Sequence, residues 1–371
     1  MTAQSEKIKA NTSASTISAR IDQNIFFVAA IIFTAEQAVE FFVISVFQHN
    51  YSDLCAWDCG WYKSIVEHGY DIEPYGHGKG DAANWAFFPA LPFIAKALFH
   101  IFGLSAATSL VLTGKMFFLL SIFWFIKFVR LYNPGVPAWL SGMTVAFSPY
   151  AIYGNVGYTE PIFLFWTCSF FYFLKQKEYV KSGLCGAVLT SARVVGLFAV
   201  FSYIVSAVKR FYSKPETRLD IMLGVLLIPF GLACFMLLLY VLVGDSLAFS
   251  HIQRAWGRNP QNPLWIISKG LHGSAFDIYS TATALAAIFL SLVLIGQRRY
   301  ELAVFSLMCS VVPLSTGLWS LTRYVWWQAP LLLLVAELVH RTRSWLLMIP
   351  VSVAGLLFMY FSWFAGKDFV I

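Results

Sequence analysis

The aspartate in the stretch AWDCGWYKSIVEHGY, Asp58, stands where a carboxylate is costly. Wound as an α-helix at about 100° per residue, this stretch and the residues just before it align one apolar stripe. The stripe consists of Leu54, Trp57, Trp61 and Ile65. Asp58 falls within it, and a carboxylate there costs free energy unless another group pairs with it or the protein uses it. An aspartate within reach of a hydroxyl can act as a general base, so Asp58 is the candidate catalytic base. Capping of a neighbouring helix, or pairing with an arginine, is the structural alternative.

Three arginines in separate segments have the chemistry to hold a phosphate. Arg193 lies in TSARVVG, Arg258 ends GDSLAFSHIQRAWGR, and Arg323 lies in LTRYVWWQAP. A guanidinium presents paired donors in one plane, which suits a phosphate oxyanion. The structural alternatives are an internal ion pair for Arg193, a solvated loop for Arg258, and contact with lipid headgroups for Arg323.

Aromatic and polar residues in the same segments are candidates for contact with a sugar or an acceptor. They are Trp57, Trp61, Tyr62, Tyr158, Glu160, His251, Gln253 and Tyr324. Glu160 could instead only favour the first turn of a helix, where an acid interacts well with the helix dipole. Together with Asp58 and the arginines, this set indicates transfer between a lipid phosphate and a hydroxyl.

The composition is that of a polytopic α-helical membrane protein. The chain is 58% hydrophobic and 12% charged, with a mean hydropathy of +0.67, whereas a soluble domain carries about a quarter charged residues. Apolar runs of about 20 residues recur, and the short alternating segments of a β-barrel do not. The net charge of +7 comes from short loops between spans, so it reports orientation and contact with membrane lipids instead of nucleic acid.

The apolar runs predict one integral membrane domain, 1–371, behind a cytoplasmic tail at 1–22. A first span at 24–46 is followed by an extracytoplasmic loop at 47–104, which ends in an interfacial helix, FFPALPFIAKALFHIFG. Further spans are predicted near 105–129, 137–152, 159–174, 219–243, 278–296, 300–318, 323–339 and 344–364.

The stretch 182–208 is long enough for one span but carries Arg193 in its middle and basic residues on both flanks. Two half-spans with a turn near Arg193 keep both flanks in the cytoplasm and satisfy the positive-inside rule. The total is then about eleven spans, with the loops at 47–104, 153–159, 244–277 and 313–322 outside.

Two cysteines flank the candidate base. Cys55 and Cys59 have a C-x3-C spacing that could indicate zinc or a disulfide, but no second ligand pair is evident. We therefore predict no metal site, while a disulfide between these two stays open. The six cysteines give no disulfide framework, and the other four are interpreted as core residues. GHGKG at 76–80 lacks the spacing of a phosphate loop and is interpreted as a flexible turn.

Three charges fall inside predicted spans. Glu36 and Glu40 sit one turn apart in the first span, and Lys115 lies inside the second. Intramembrane charges are candidates for function. We prefer the plainer interpretation, an internal ion pair.

The ordered motifs resemble those of the PIG-V family, which comprises the second mannosyltransferase of GPI-anchor assembly and its bacterial relatives, within the GT-C membrane glycosyltransferases. WDCGWYKSIVEHGY is similar to the family's Trp-Asp…Trp-Tyr…Ile…Gly-Tyr block, and AFFPALP to its Phe-Phe-Pro-x-x-Pro element. YTEP, SARVVG, GDSLAFSHIQRAWGR and LTRYVWWQAP follow in the expected order, over about 55–330.

The resemblance implies a GT-C fold with a helical first extracytoplasmic loop that carries the catalytic aspartate, here Asp58. It implies an inverting reaction that moves mannose from a polyprenyl-phosphate donor to a lipid or glycan acceptor, with no cofactor or metal required. Arg323, then Arg193 and Arg258, would hold the leaving phosphate. The membrane would be a bacterial inner membrane, or that of the endoplasmic reticulum in a eukaryote.

Two other functions fit the same residues. A transporter or flippase of a lipid-linked sugar would use the arginines to hold phosphate but would not need Asp58 as a base. A structural membrane subunit would use neither. The sequence marks no acceptor.

Overall fold

The computed structural model describes residues 2–74 and 81–367, with side chains from residue 24 onward. GHGKG at 76–80 lies outside the described residues, as do the side chains of the N-terminal tail. Within the described part the chain forms helices, turns and loops, and no strand. The predicted all-α fold is confirmed.

Seventeen α-helices follow one another along the described chain. The first nine are α1 (Thr2–Val46), α2 (Asp58–His68), α3 (Ala90–Phe102), α4 (Ala106–Tyr132), α5 (Ala138–Ala146), α6 (Glu160–Lys175), α7 (Tyr179–Ala192), α8 (Ala199–Ser213) and α9 (Arg218–Leu227). The others are α10 (Phe230–Val243), α11 (Ala248–His251), α12 (Pro263–Gly270), α13 (Ala275–Gly296), α14 (Tyr300–Leu314), α15 (Leu321–Trp326), α16 (Ala329–Thr342) and α17 (Trp345–Phe364).

Six described segments are long and apolar enough to cross a membrane. They are Asn24–Val46, Ala106–Tyr132, Val194–Ser213, Pro215–Val243, Ala275–Gly296 and Trp345–Phe364. Two shorter helices, α3 and α14, are also apolar. The protein is therefore a multi-pass integral membrane protein, but the total of about eleven spans stays a prediction.

Three of the predicted spans are interrupted. The span predicted at 219–243 divides between α9 and α10, at Pro229. The span predicted at 137–152 ends as a helix at Ala146 and continues as a 3-10 turn from Pro149. The span predicted at 323–339 is split between α15 and α16, just before Pro330. Proline removes a backbone donor and disfavours helix at the residue before it, which explains why these apolar runs do not form single long helices.

The break predicted at Arg193 is confirmed. Helix α7 ends at Ala192, Arg193 is extended with φ −159° and ψ 143°, and a 3-10 turn leads into α8. An extended residue between two helices turns its side chain away from both helix surfaces. The sidedness predicted for its flanks stays a prediction.

The two long loops predicted to lie outside contain short helices. The loop at 47–104 carries α2 and α3, and the loop at 244–277 carries α11 and α12. Helix α1 begins at Thr2, so the predicted tail is helical and continuous with the first span. Which side of the membrane each segment faces stays a prediction.

Helix α4 organises the core, because it packs against α1, α3, α5 and α6. At Gly114 the backbone of α4 is close to the segment before α6: a Cβ there would lie 3.2 Å from the carbonyl oxygen of Gly154. The absence of a side chain at Gly114 thus lets residues 154–160 lie directly on α4. Those residues lead into the first turn of α6, where Glu160 stands.

Candidate active site

Most of the predicted site residues meet in one cavity of about 380 Å³. The lining includes Asp58, Tyr62, Tyr158, Glu160, Arg193, Gln253, Arg258, Arg323 and Tyr324. A volume of this size is within the range of small-molecule sites. Segments far apart in the sequence therefore converge on this cavity. Trp57, Trp61 and His251 lie outside this lining.

Asp58 is positioned by the start of α2. Its backbone N–H donates to the hydroxyl oxygen of Tyr158 at 3.1 Å. The predicted stripe is wrong at one member: α2 begins at Asp58, so Trp57 precedes the helix with a positive φ of 54° and is 39% exposed. Leu54, Trp61 and Ile65 are buried, as predicted. Asp58 therefore stands in the first turn, at the edge of the apolar face.

Of the two alternatives left open for Cys55 and Cys59, the structure shows the disulfide, across a sequence separation of 4. The bond closes a small loop that contains Trp57 and Asp58. It also removes both thiols from metal binding. The spacing permitted this bond, but only the turn at Trp57 brings the two sulfur atoms together.

The carboxylate of Asp58 pairs with the candidate phosphate-binding arginine. Arg323 Nη2 donates to Asp58 Oδ2 at 2.5 Å. Both residues line the cavity, but the side chain of Arg323 is 6% exposed and that of Asp58 is 29% exposed, so the aspartate is the more accessible partner. The structural alternative for Asp58, pairing with an arginine, thus describes this structure, and it places the arginine beside the candidate base.

Glu160 continues the chain of charges. Its Oε1 atom lies 3.5 Å from Arg323 Nε and accepts from Arg193 Nη1 at 3.0 Å. Both interpretations of Glu160 fit, since it starts α6 and also lines the cavity. Its Oε2 atom is buried and has no hydrogen-bond partner among the residues that the structure describes. An unsatisfied buried carboxylate oxygen is costly.

Tyr324 lies among three guanidinium groups. The guanidinium of Arg193 stacks over its ring at 4.1 Å and that of Arg323 at 5.3 Å. Helix α15, which carries Tyr324, is outside the six apolar spans. Burial raises the pKa of Tyr324, but the positive charges of Arg258, Arg323 and Arg193 outweigh burial and lower that pKa to about 7. The same field of positive charge would attract a phosphate.

Arg258 lines the cavity and makes two long contacts with its neighbours. Its Nη1 lies 3.4 Å from Gln253 Oε1, and its Nη2 lies 3.4 Å from Ser320 Oγ. Contacts of this length are weak, so its guanidinium is held less firmly than those of Arg193 and Arg323.

The wall around the charges is aromatic and apolar. Sequence reasoning did not assign this wall, which includes Phe87, Phe88, Phe249, Trp256, Val195 and Pro313. Trp61 supports it from behind, with ring centroids 5.7 Å from Phe87 and 5.5 Å from Trp256. The signal for Phe87 and Phe88 was present in the motif AFFPALP, which was interpreted as a family element and the start of an interfacial helix but not as part of the site.

His251 is directed elsewhere. Its Nδ1 lies 2.7 Å from Asp245 Oδ2, and both side chains are exposed. The structure therefore gives His251 a solvated ion pair on its own loop and does not bring it to the cavity.

Comparison with known proteins places the chain in a family. The family described as mannosyltransferase (PIG-V) matches residues 22–280. A crystal structure of the Archaeoglobus fulgidus oligosaccharyltransferase is similar at 11% identity and a TM-score of 0.40, over 81% of this chain and 47% of that one. This chain thus spans about half of that protein's length. No curated protein sequence matches the chain significantly. Because the family match covers well over half of the sequence, the chain belongs to the PIG-V family of mannosyltransferases.

Proposed function

We propose that this protein transfers mannose from a polyprenyl phosphate to a hydroxyl of a lipid or glycan acceptor, with inversion at the anomeric carbon. The main support for this proposal is that Asp58 and Arg323 form an ion pair in the wall of the cavity. Membership of a mannosyltransferase family supports the sugar transfer. The donor, the inversion and the acceptor belong to the proposal.

In the proposed reaction, the carboxylate of Asp58 takes the proton of the acceptor hydroxyl. The acceptor oxygen forms a bond to the anomeric carbon, while the bond from that carbon to the phosphate oxygen breaks. Its electron pair stays on the departing polyprenyl phosphate. The base and the leaving group lie on opposite faces of the sugar, which gives inversion.

The charge that develops on the phosphate is stabilised by Arg323, with Arg193 and Arg258 on the same side of the cavity. Preorganised cations in a water-poor site are effective because they need no rearrangement as the charge forms. The incoming phosphate competes with Asp58 for the guanidinium of Arg323. Donor binding therefore loosens the ion pair and leaves Asp58 oriented toward the acceptor.

The remaining lining suits a sugar and a lipid. Phe87 and Trp256 offer flat apolar faces to a sugar ring. The valine and proline of α14 that line the cavity, Val312 and Pro313, would accompany the first units of the polyprenyl chain toward the bilayer.

The site is proposed to face the extracytoplasmic side. The basic loops support this orientation through the positive-inside rule. The disulfide between Cys55 and Cys59 supports it independently, because disulfides persist in oxidising compartments such as the periplasm or the lumen of the endoplasmic reticulum.

The test is product formation by purified full-length protein. The protein is incubated with radiolabelled polyprenyl-phosphate mannose and a lipid extract, and the labelled product is isolated and its anomeric configuration determined. We expect a new glycoside with the configuration opposite to that of the donor. Donor binding and movement across a vesicle membrane with no new glycosidic bond would instead establish the flippase. Retention of configuration would refute the single-displacement mechanism.

A further inference from the structure

A second group of polar side chains is buried beside the active site, and the mechanism does not use it. The preferred interpretation of the intramembrane charges, an internal ion pair, is confirmed: Lys115 Nζ lies 2.6 Å from Glu40 Oε1. The same ammonium donates to Gln37 Oε1 at 2.6 Å. Glu36, Glu40 and Lys115 are buried, and Gln37 is half-buried.

The centre of the group is a neutral residue, Asn155. Its Oδ1 accepts from Gln37 Nε2 at 2.8 Å. Its Nδ2 donates to Glu36 Oε1 and to the hydroxyl oxygen of Tyr360, each at 2.8 Å. The hydroxyl of Tyr360 in turn donates to Glu36 Oε1 at 3.2 Å. Both hydrogens of the amide and its oxygen are thus occupied, and only one orientation of the amide satisfies all the partners.

Asn155 belongs to the segment that carries site residues. Three residues later, Tyr158 accepts from the backbone of Asp58 and places its ring 4.9 Å from the guanidinium of Arg323. Glu160 follows with its contacts to two arginines. Between them Gly157 has a positive φ of 71°, and a Cβ there would lie 2.8 Å from Cys59 Sγ. The segment therefore fits against both α4 and the disulfide-bonded turn.

We propose that Asn155 is a positioning residue for sugar transfer. The cluster of Glu36, Gln37 and Tyr360 holds Asn155 in place. Tyr158 and Glu160, in the same segment, thereby keep the side chains of Asp58 and Arg323 in their positions at the cavity. The cluster thereby ties the first and last long helices, α1 and α17, to the catalytic segment. This inference rests on the proposed function, because it assumes that residues 158–160 serve catalysis.

A complementary exchange of hydrogen-bonding groups tests the proposal. Asn155→Asp alone turns a carboxylate oxygen toward Glu36, and Glu36→Gln alone turns an amide donor toward the amide of Asn155. Both variants leave unmatched groups in a buried site. Together they restore a match, because the introduced amide donates to the introduced carboxylate and to Tyr360, and the formal charge of the cluster is unchanged.

A misplacement of about 1 Å at an active site costs about 100-fold in rate, so each single variant is expected to lose about that much kcat, with a smaller change in donor KM. If the exchanged hydrogen-bonding groups match again, the kcat of the double variant should recover to within about threefold of the parental kcat. The rate of hydrogen exchange at the backbone amides of residues 154–160 should rise in each single variant and should return to the parental rate in the double variant. Thr113→Val is the control: this buried residue of α4 donates only within its own helix, to the carbonyl of Ser109.

Three results would overturn the proposal. One is single variants that transfer at the parental rate while only their unfolding temperature falls, which would make the cluster purely structural. The second is exchange at residues 154–160 that does not respond, and the third is a double variant no better than the single ones. If the single variants do not fold, Tyr360→Phe, which removes one hydroxyl, is read by the same two assays. The exchange assay needs no sugar transfer, so it decides the positioning claim even if the parent transfers no mannose.

Discussion

Replacing Arg323 by lysine tests whether one guanidinium must serve two carboxylates. Arg323 Nη2 donates to Asp58 Oδ2 at 2.5 Å, and Arg323 Nε lies 3.5 Å from Glu160 Oε1 in an ion pair without a hydrogen bond. An ammonium keeps the charge but acts from a single point, so it cannot serve both acids in this geometry. One charge-assisted hydrogen bond contributes about 1.5–3 kcal/mol. Because about 1.4 kcal/mol corresponds to tenfold in rate, Arg323→Lys is expected to lower kcat/KM about 10- to 150-fold.

The assay is the initial rate of mannose transfer across a range of donor concentrations, in purified protein shown to be monodisperse. Arg299→Lys is the matched control. Arg299 makes a paired contact with Glu337, at 2.9 Å and 2.8 Å, and neither residue lines the cavity. That variant should lower the unfolding temperature and leave kcat/KM at the parental value.

This prediction fails if Arg323→Lys keeps parental kcat/KM. In that case a positive charge alone would suffice, and the double contact to Asp58 and Glu160 would be irrelevant to transfer. It fails equally if Arg299→Lys loses as much kcat/KM as Arg323→Lys, since the loss would then report general destabilisation.

Two further predictions concern the surroundings of Asp58 and Tyr324. Replacing both Cys55 and Cys59 by alanine should lower the free energy of unfolding by about 2 kcal/mol, which is the contribution expected of a disulfide that closes so short a loop. The same variant should lower kcat at unchanged donor KM. Parental kcat would show that the turn holds Asp58 in place without the disulfide. The pKa of Tyr324 is about 7, so the fraction of Tyr324 that is neutral falls about tenfold between about pH 6 and about pH 8. The phenolate that replaces it competes with the donor phosphate for the three guanidinium groups of Arg193, Arg258 and Arg323. Donor KM should therefore rise about tenfold from about pH 6 to about pH 8, and Tyr324→Phe should abolish this rise. The same pH profile of donor KM in Tyr324→Phe would show that Tyr324 is not the titrating group.

The charged part of the site could be predicted because charge is rare in this chain. Only 12% of the residues are charged, so a charge beside an apolar run stands out. Asp58, Arg193 and Arg323 were found in this way, and the structure brings them to one cavity. His251 met the same criterion but forms a local ion pair instead, since its loop offers a nearer acid in Asp245.

The neutral parts of the architecture gave no comparable signal. Asn155 is one polar residue in a loop, and its partners lie 118, 119 and 205 positions away. The disulfide depends on a backbone turn at Trp57 that no residue pattern predicts. The span total depends on where proline interrupts apolar runs, and hydropathy averages over such interruptions.

The most direct test of the central claim is Asp58→Asn. The change keeps size and hydrogen-bonding capacity but removes basicity, so the asparagine cannot take the acceptor's proton. Transfer and donor binding should be measured on the same purified variant. We expect mannose transfer to be almost completely lost while the labelled donor still binds. Transfer at close to the parental rate would show that Asp58 is not the base.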